Sequence, residues 1–422
     1  MKRIFRAIST PTARSSAVFY FGSFGLSIFR YLFHLILLRL LAPAAYGEFL
    51  SYLSLIYLLG IPTGTIATVI IKYVAEFKGK DDKVSINLFF HYLLRTVTPI
   101  AVFLGIALIF LSGPLSFIFK ANSLAFIVLG ISVFISLYQT IIGSYLVAYQ
   151  KFVFQTIVGF AGVLVTIVLS IFFIRLGFGA TGAVIGQLLG SVATSVIIFL
   201  NVRPSVYPKI VIKKSPHFSL GGLMGYSFIY ALGTMSLIST DILMVRALFD
   251  PHLSGIYSAL SILGRMILFG LTPLVALVLP IAAHRHAASG SARSILMKLG
   301  AVVLLFGATG AGIFSLFPTL IIRVLSGSAY LEAAPFLSIF AFTMVFFALS
   351  QFILSYLMAI GRPRANIFLL VATIAQPILF YVFRGSFPLV IWSNFGLHLL
   401  LTTFLIVFLL SRNDHKVFHP SR

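Results

Sequence analysis

The chain has 422 residues, 60% hydrophobic and only 9% charged, with a mean hydropathy of +1.11 and a net charge of +22. Soluble domains carry about 25% charged residues, so this composition excludes one and leaves a polytopic membrane protein. Long unbroken apolar runs, without the ~10-residue alternation of a barrel, make it all-α, and the lack of cysteine excludes disulfides, thiol catalysis and thiolate metal sites.

Hydropathy predicts twelve spans, at 16–41, 49–71, 88–112, 123–148, 154–175, 182–202, 219–248, 255–280, 296–317, 334–360, 365–383 and 388–411. The first follows a basic leader (Lys2, Arg3, Arg6, Arg14) with no small-residue cleavage site, so it is expected to be retained. Along it Tyr20, Ser23, Ser27, Arg30 and His34 recur at intervals of 3 and 4, which places them on one helical stripe. Arg30 lies 14 residues past Ser16, about 21 Å along the helix. An arginine at that depth is expected to face protein or a wet cavity.

Proline interrupts the second, third, eighth and eleventh spans, at Pro62, Pro99, Pro273 and Pro377. Each removes a helical hydrogen bond, so bends are expected there. The segment 203–218 carries three prolines and four basic residues at the middle of the chain, and is the expected linker between an N-terminal bundle, 1–208, and a C-terminal bundle, 209–422.

The seventh span repeats the first. Ser227, Tyr230, Thr234, Asp241 and Arg246 follow Tyr20, Ser23, Ser27, His34 and Arg39 at an offset of 207, with Leu237 at the place of Arg30. One residue later in register, Ser254-Gly255 and Tyr257 face Tyr46-Gly47 and Phe49, and SYLMAIGR at 355–362 echoes SYLVAYQK at 144–151. The expected architecture is therefore two six-helix bundles related by pseudo-two-fold symmetry. A polar stripe shared by two repeats points to a transport pathway.

Charge sets the orientation. With the N-terminus inside, 21 of the 30 basic residues fall in cytosolic segments, 4 (Lys120, Arg175, Arg323, Arg384) in outer loops and 5 within helices. Both termini are thus expected in the cytosol of a multi-pass protein of the cytoplasmic membrane. The scattered positive charge fits the positive-inside rule and anionic lipid headgroups, with no nucleic-acid partner.

LLRLLAPAAYGEF, a proline-bent helix and then KYVAEFKGKDDK resemble the start of the polysaccharide transporter (oligosaccharide flippase) family. The matching positions are Arg39, Leu40, Leu41, Pro43, Tyr46, Gly47, Phe49, Ala75 and Glu76, and LVAYQKFVFQTI at 146–157 is similar to a later family segment. The resemblance covers the first 160 residues well. It places the chain in the multidrug/oligosaccharidyl-lipid/polysaccharide exporter (MOP) superfamily. It implies a MATE-like, V-shaped pair of bundles that moves a polyprenyl-pyrophosphate-linked oligosaccharide outward by alternating access, for cell-surface polysaccharide biosynthesis. Its partners would be the lipid-linked oligosaccharide, membrane lipids and a polysaccharide polymerase or glycosyltransferases.

Arginine suits an anionic headgroup because its fork pairs with phosphate oxygens. Arg30 and Arg265, the latter ten residues into its span, are the phosphate candidates, with Lys72 at the cytosolic entrance. Gln139 and Gln351 are candidates for sugar hydroxyls, against the alternative that they bridge helices. Asp241 is the one acidic residue within a predicted span. It either pairs with Arg265 or Arg246 or carries a coupling H+ or Na+, and His34 stands at the equivalent place. Arg39 and Arg246 are expected to snorkel at outer helix ends, and Arg95 to lie near an inner one. No phosphate loop, nucleophile elbow or carboxylate pair supports an enzyme, and no cofactor is implied. The alternatives are a MATE-like multidrug antiporter, which wants acidic residues absent from the first six spans; a lipid II flippase-like exporter, which usually has two further helices; a facilitator-superfamily transporter, whose arginine-rich loop is missing; and a scaffold.

Overall fold

A computed structural model describes residues 11–206, 223–289 and 293–411. Among the described residues every predicted span is occupied by a helix or a pair of helices, and no strand occurs. In chain order these are α1 (Pro11–Leu40), α2 (Pro43–Leu59), α3 (Ile61–Gly79), α4 (Lys83–Phe110), short α5 (Ser112–Ile118), α6 (Ser123–Ala148), α7 (Phe152–Phe173) and α8 (Gly179–Val206). They continue as α9 (Leu223–Leu237), α10 (Thr240–Leu248), α11 (Pro251–Ser289), α12 (Arg293–Leu316), short α13 (Pro318–Leu325), α14 (Ala334–Ala359), α15 (Asn366–Val382) and α16 (Phe387–Leu410). Among the described residues nine helical stretches are long and apolar enough to cross a bilayer, and α2 with α3 make a tenth, bent by 46°. The bend falls at Gly60, just before Pro62. Pro99 and Pro377 lie inside α4 and α15, while α11 continues past Pro273 as one element. The expected linker lies mostly outside the described residues, as do Lys2, Arg3 and Arg6. The side chains of Arg14, Tyr20, Ser23 and Ser227 also lie outside them.

The chain forms two compact units. The first takes the chain to Leu41 and then from Leu55 to Met224; the second takes Ala42–Ser54 and everything from Gly225 on. Helix α2 is therefore shared: its first turns belong with the second unit.

Within the first unit, α7 and α8 form an antiparallel hairpin turned by Gly177 and Gly179, both at positive φ (93° and 52°) where a side chain would be strained. Small residues every fourth position let the helix backbones touch. Thr194 packs on Gly162, Thr166 on Gly190, Ser170 on Gly186, and the backbone at Phe173 on Gly182. Ser170 also donates to the Ala183 carbonyl at 3.1 Å. In lipid, close van der Waals contact of this kind replaces the hydrophobic drive between helices. Helices α4 and α6 cross in the same way, where a Cβ on Gly105 would lie 2.9 Å from the Gly130 carbonyl oxygen.

The second unit has a continuous core drawn from α9, α11, α12, α14, α15 and α16, including Leu268, Leu271, Phe347, Phe352, Leu369 and Leu401. Onto this unit the first turns of α2 are docked. Tyr46, Phe49 and Tyr52 are wholly buried. Gly47 lies against Gly255: a Cβ on Gly47 would sit 2.7 Å from the Gly255 nitrogen, and Gly255 itself abuts the Pro43 carbonyl. The Tyr-Gly and Ser-Gly positions that the repeat equates are thus in direct contact. Arg246 fixes the same segment by donating from Nη1 to the Ala44 carbonyl at 3.1 Å. Arg246 is only 2% exposed, so the expected snorkelling is corrected: the incoming helix covers it. Glu48, expected in a loop, also lies inside α2 and accepts a hydrogen bond from Tyr52.

Candidate translocation site

Two polar centres stand out, one in each unit, and they differ in kind. In the first unit, Arg30 sits ten residues before the end of α1, about 15 Å along the axis. It is exposed and has no hydrogen-bond or ion-pair partner among the described residues. His34, one turn on, is buried with its ring 6.0 Å from that of Phe33. Lys72 is exposed on α3, its Nζ 5.6 Å from the Tyr73 ring centre. Gln139 on α6 is half-buried.

The structure adds Arg95 to this set. Helix α4 begins at Lys83, five residues before the predicted span, so Arg95 lies 12 residues in, about 18 Å from the helix start. The signal was legible: Asp82 caps the helix, its carboxylate accepting the Ser85 N–H at 2.9 Å. That bond also holds the Asp82 carboxyl below the usual carboxylate range. Arg95 is exposed, with no partner among the described residues. Pro99, four residues on, has no N–H to give the Arg95 carbonyl. The acidic residues of the first unit are Glu76, Asp81 and Asp82, all grouped around the end of α3. No carboxylate along α1 or α4 offsets these two arginines.

The second unit holds a closed network instead. The helix of the seventh span breaks at Ser239, between α9 and α10, so the carbonyls of Leu237 and Ile238 lose their helical donors. Gln376 Nε2 donates to the Leu237 carbonyl at 3.0 Å, and Arg265 donates to the Ile238 carbonyl. Arg265 also lies 3.6 Å from the Asp241 carboxylate. Asp241 accepts further hydrogen bonds from the Ile242 N–H at 2.8 Å and the Tyr257 hydroxyl at 3.3 Å. Asn394 links Tyr257 (3.3 Å) to Gln376 (3.1 Å). None of these five side chains is more than 2% exposed. Of the two arginines singled out as phosphate ligands, Arg265 is therefore enclosed and engaged. Gln351 on α14 remains half-buried, with no hydrogen-bond partner among the described residues. His398, which periodicity did not single out, is buried with its ring 4.9 Å from that of Phe347. No group of metal-binding side chains occurs among the described residues.

Chemically, among the described residues, Arg30 and Arg95 of the first unit are cations without a counter-charge, and Arg265 of the second is neutralised by Asp241. No protein-family model matches the chain, and no curated protein sequence matches it. Solved structures do. An inward-facing multidrug resistance MATE transporter of the MOP superfamily superposes with a TM-score of 0.71 at 14% identity, over 92% of this chain and 95% of the other. MATE in complex with MaD3S gives 0.63 at 16%, over 95% and 96%. A MOP superfamily transporter from Pyrococcus furiosus Vc1, whose binding pocket is described as reversed in polarity, gives 0.61 at 17%, over 94% and 95%. At these identities the likeness concerns the fold. The chain is a multi-pass membrane protein with the fold of the MATE transporters of the MOP superfamily.

Proposed function

We propose that this protein is a flippase that carries a polyprenyl-pyrophosphate-linked oligosaccharide outward across the cytoplasmic membrane by alternating access, with both termini in the cytosol. The observation that carries the reading is Arg30: an exposed guanidinium well inside a membrane helix, with no partner among the described residues, in a unit whose α1 and α4 hold no carboxylate. A charge there would cost several kcal/mol if it faced lipid, so its presence points to a wet pathway and a ligand of opposite sign. Pyrophosphate supplies that sign, and a guanidinium fork matches its oxygens. The reversed pocket polarity described for the Pyrococcus furiosus transporter indicates that pocket charge differs among proteins of this fold.

In this reading Arg30 and Arg95 hold phosphate, Lys72 meets it at the cytosolic side, and Gln139 and Gln351 take sugar hydroxyls while the polyprenyl tail stays in lipid. His34 supports Arg30 from the next turn. Arg265 serves Asp241 and not the substrate. The cargo would serve cell-surface polysaccharide synthesis, next to a polymerase or glycosyltransferases.

A multidrug antiporter is the second reading, favoured by the MATE transporters among the structural matches. Binding of a short polyprenyl-pyrophosphate sugar to purified protein, at two salt concentrations, separates the two. Saturable, salt-sensitive binding that Arg30→Ala weakens is the expected result. Binding of lipophilic organic cations in its place, indifferent to Arg30, would overturn the flippase reading.

A further inference from the structure

The helix break at Ser239 poses a question that lipid transport does not answer. Two backbone carbonyls, Leu237 and Ile238, are freed inside the second unit, beside a carboxylate (Asp241) and a phenol hydroxyl (Tyr257). Discontinuous membrane helices with freed carbonyls and a nearby acid form oxygen cages of the kind that coordinate monovalent cations. Here one atom group meets both the Ile238 carbonyl and the Asp241 carboxylate: the guanidinium of Arg265, carried on α11. Further buried oxygens on the same elements have no hydrogen-bond partner among the described residues. These are the hydroxyls of Ser239, of Ser258 and Ser261 on α11, and Oε1 of Gln376. Ser258, Ser261 and Arg265 are spaced by 3 and 4, so they share one face of α11.

We infer that Arg265 is a tethered cation occupying a monovalent-cation cage, so that the second unit is charge-balanced by its own side chain and takes no Na+ or K+ there. An arginine suits the place because its guanidinium is weakly hydrated and always charged, so it neutralises Asp241 without drawing an ion from solution. Shortening the side chain should then convert the cage into a vacant cation site, with Asp241, the Ile238 carbonyl and Tyr257 as its oxygens.

Thermal unfolding of the full-length protein in detergent tests this, with Na+, K+, guanidinium or choline as the chloride salts at equal, low ionic strength. Wild type is expected to show one Tm in all four. Arg265→Ala should have a lowered Tm in choline that rises saturably with Na+, K+ or low guanidinium, since a ligand bound only by the folded state stabilises it. The neutral pair Asp241→Asn with Arg265→Met should fold and ignore the cation. A specific Na+ response in wild type, no response in Arg265→Ala, or failure to recover Arg265→Ala in any of the salts would each overturn the inference. So would a response of the neutral pair equal to that of the single variant. The readout is the stability of protein without lipid substrate, so its outcome is independent of the flippase reading.

Discussion

Arg30 and Arg265 are the same side chain in the same kind of helix, yet their surroundings are opposite. Arg30 is exposed and unpartnered among the described residues, while Arg265 is 2% exposed and held by a carboxylate and a carbonyl. A charged group at membrane depth persists either because the fold neutralises it or because its function needs it unneutralised. In the proposed reading the first unit follows the second course, while the second unit follows the first. This contrast predicts where mutation damages the fold and where it damages only activity.

The largest effect on stability should come from halving the buried pair. Asp241→Ala leaves a buried guanidinium without its counter-charge, a loss that typically amounts to about 3–5 kcal/mol. Thermal unfolding in detergent should show a large drop in Tm or no recoverable protein. A Tm near wild type would mean that the second unit is not charge-balanced by this pair, and the contrast would fail.

Next comes the glycine contact. Gly255 abuts the Pro43 carbonyl, and Gly47 lies against the Gly255 backbone. Gly255→Ala forces the backbone of α2 away from α11, at ~1–3 kcal/mol for overpacking. Because Ala42–Ser54 belongs to the second unit, proteolysis near Gly60 should rise in this variant. An unchanged digestion pattern would show that the first turns of α2 are held by other contacts, with Arg246 to Ala44 the foremost.

A smaller effect should follow from Asp82→Ala at the start of α4, on the order of 1 kcal/mol for a lost cap. The folded carboxyl of Asp82 is held below its ordinary range by the Ser85 N–H. Its contribution is therefore present at neutral pH and above the unfolded value, and is lost as pH falls through the folded one. The Tm difference between Asp82→Ala and wild type should be seen at neutral pH and close in acid. A difference that grows in acid would contradict the cap.

Much of this was legible in the sequence, for identifiable reasons. Hydropathy marks the spans because lipid demands long apolar helices, and the glycine and proline at 60–62 mark the bend because they are local backbone properties. The repeat between Tyr46-Gly47 and Ser254-Gly255 was also visible, although nothing in it tells that the two pairs touch. What was hidden depends on packing between distant segments. Arg246 reads as a snorkelling terminal arginine until a helix 202 residues away covers it. Arg265 reads as a ligand for phosphate because the Ser239 break, which supplies its carbonyl, has no proline or glycine to announce it. Arg95 stands 12 residues into α4 because Asp82 and Ser85 signal a helix start that hydropathy, weighing Lys83 and Asn87, sets five residues late.

The smallest effect on stability should belong to Arg30, the residue proposed to grip the headgroup. Arg30→Ala removes an exposed side chain with no partner among the described residues, so the stability should stay within about 0.5 kcal/mol of wild type, as at surface positions free of special features, and Tm should barely move. Export of the lipid-linked oligosaccharide, measured in cells or in vesicles with matched protein levels, should nonetheless be lost. Arg30→Lys keeps the charge but gives up the planar fork, so it should retain part of the activity if phosphate oxygens are gripped in pairs. Arg95→Ala should behave likewise if both cations serve one headgroup. Two outcomes break the comparison in different places. Full export from Arg30→Ala would mean that an exposed charge in the membrane has no ligand to meet. A Tm loss as large as that of Asp241→Ala would mean that Arg30 is held by protein, and that both units neutralise their arginines alike.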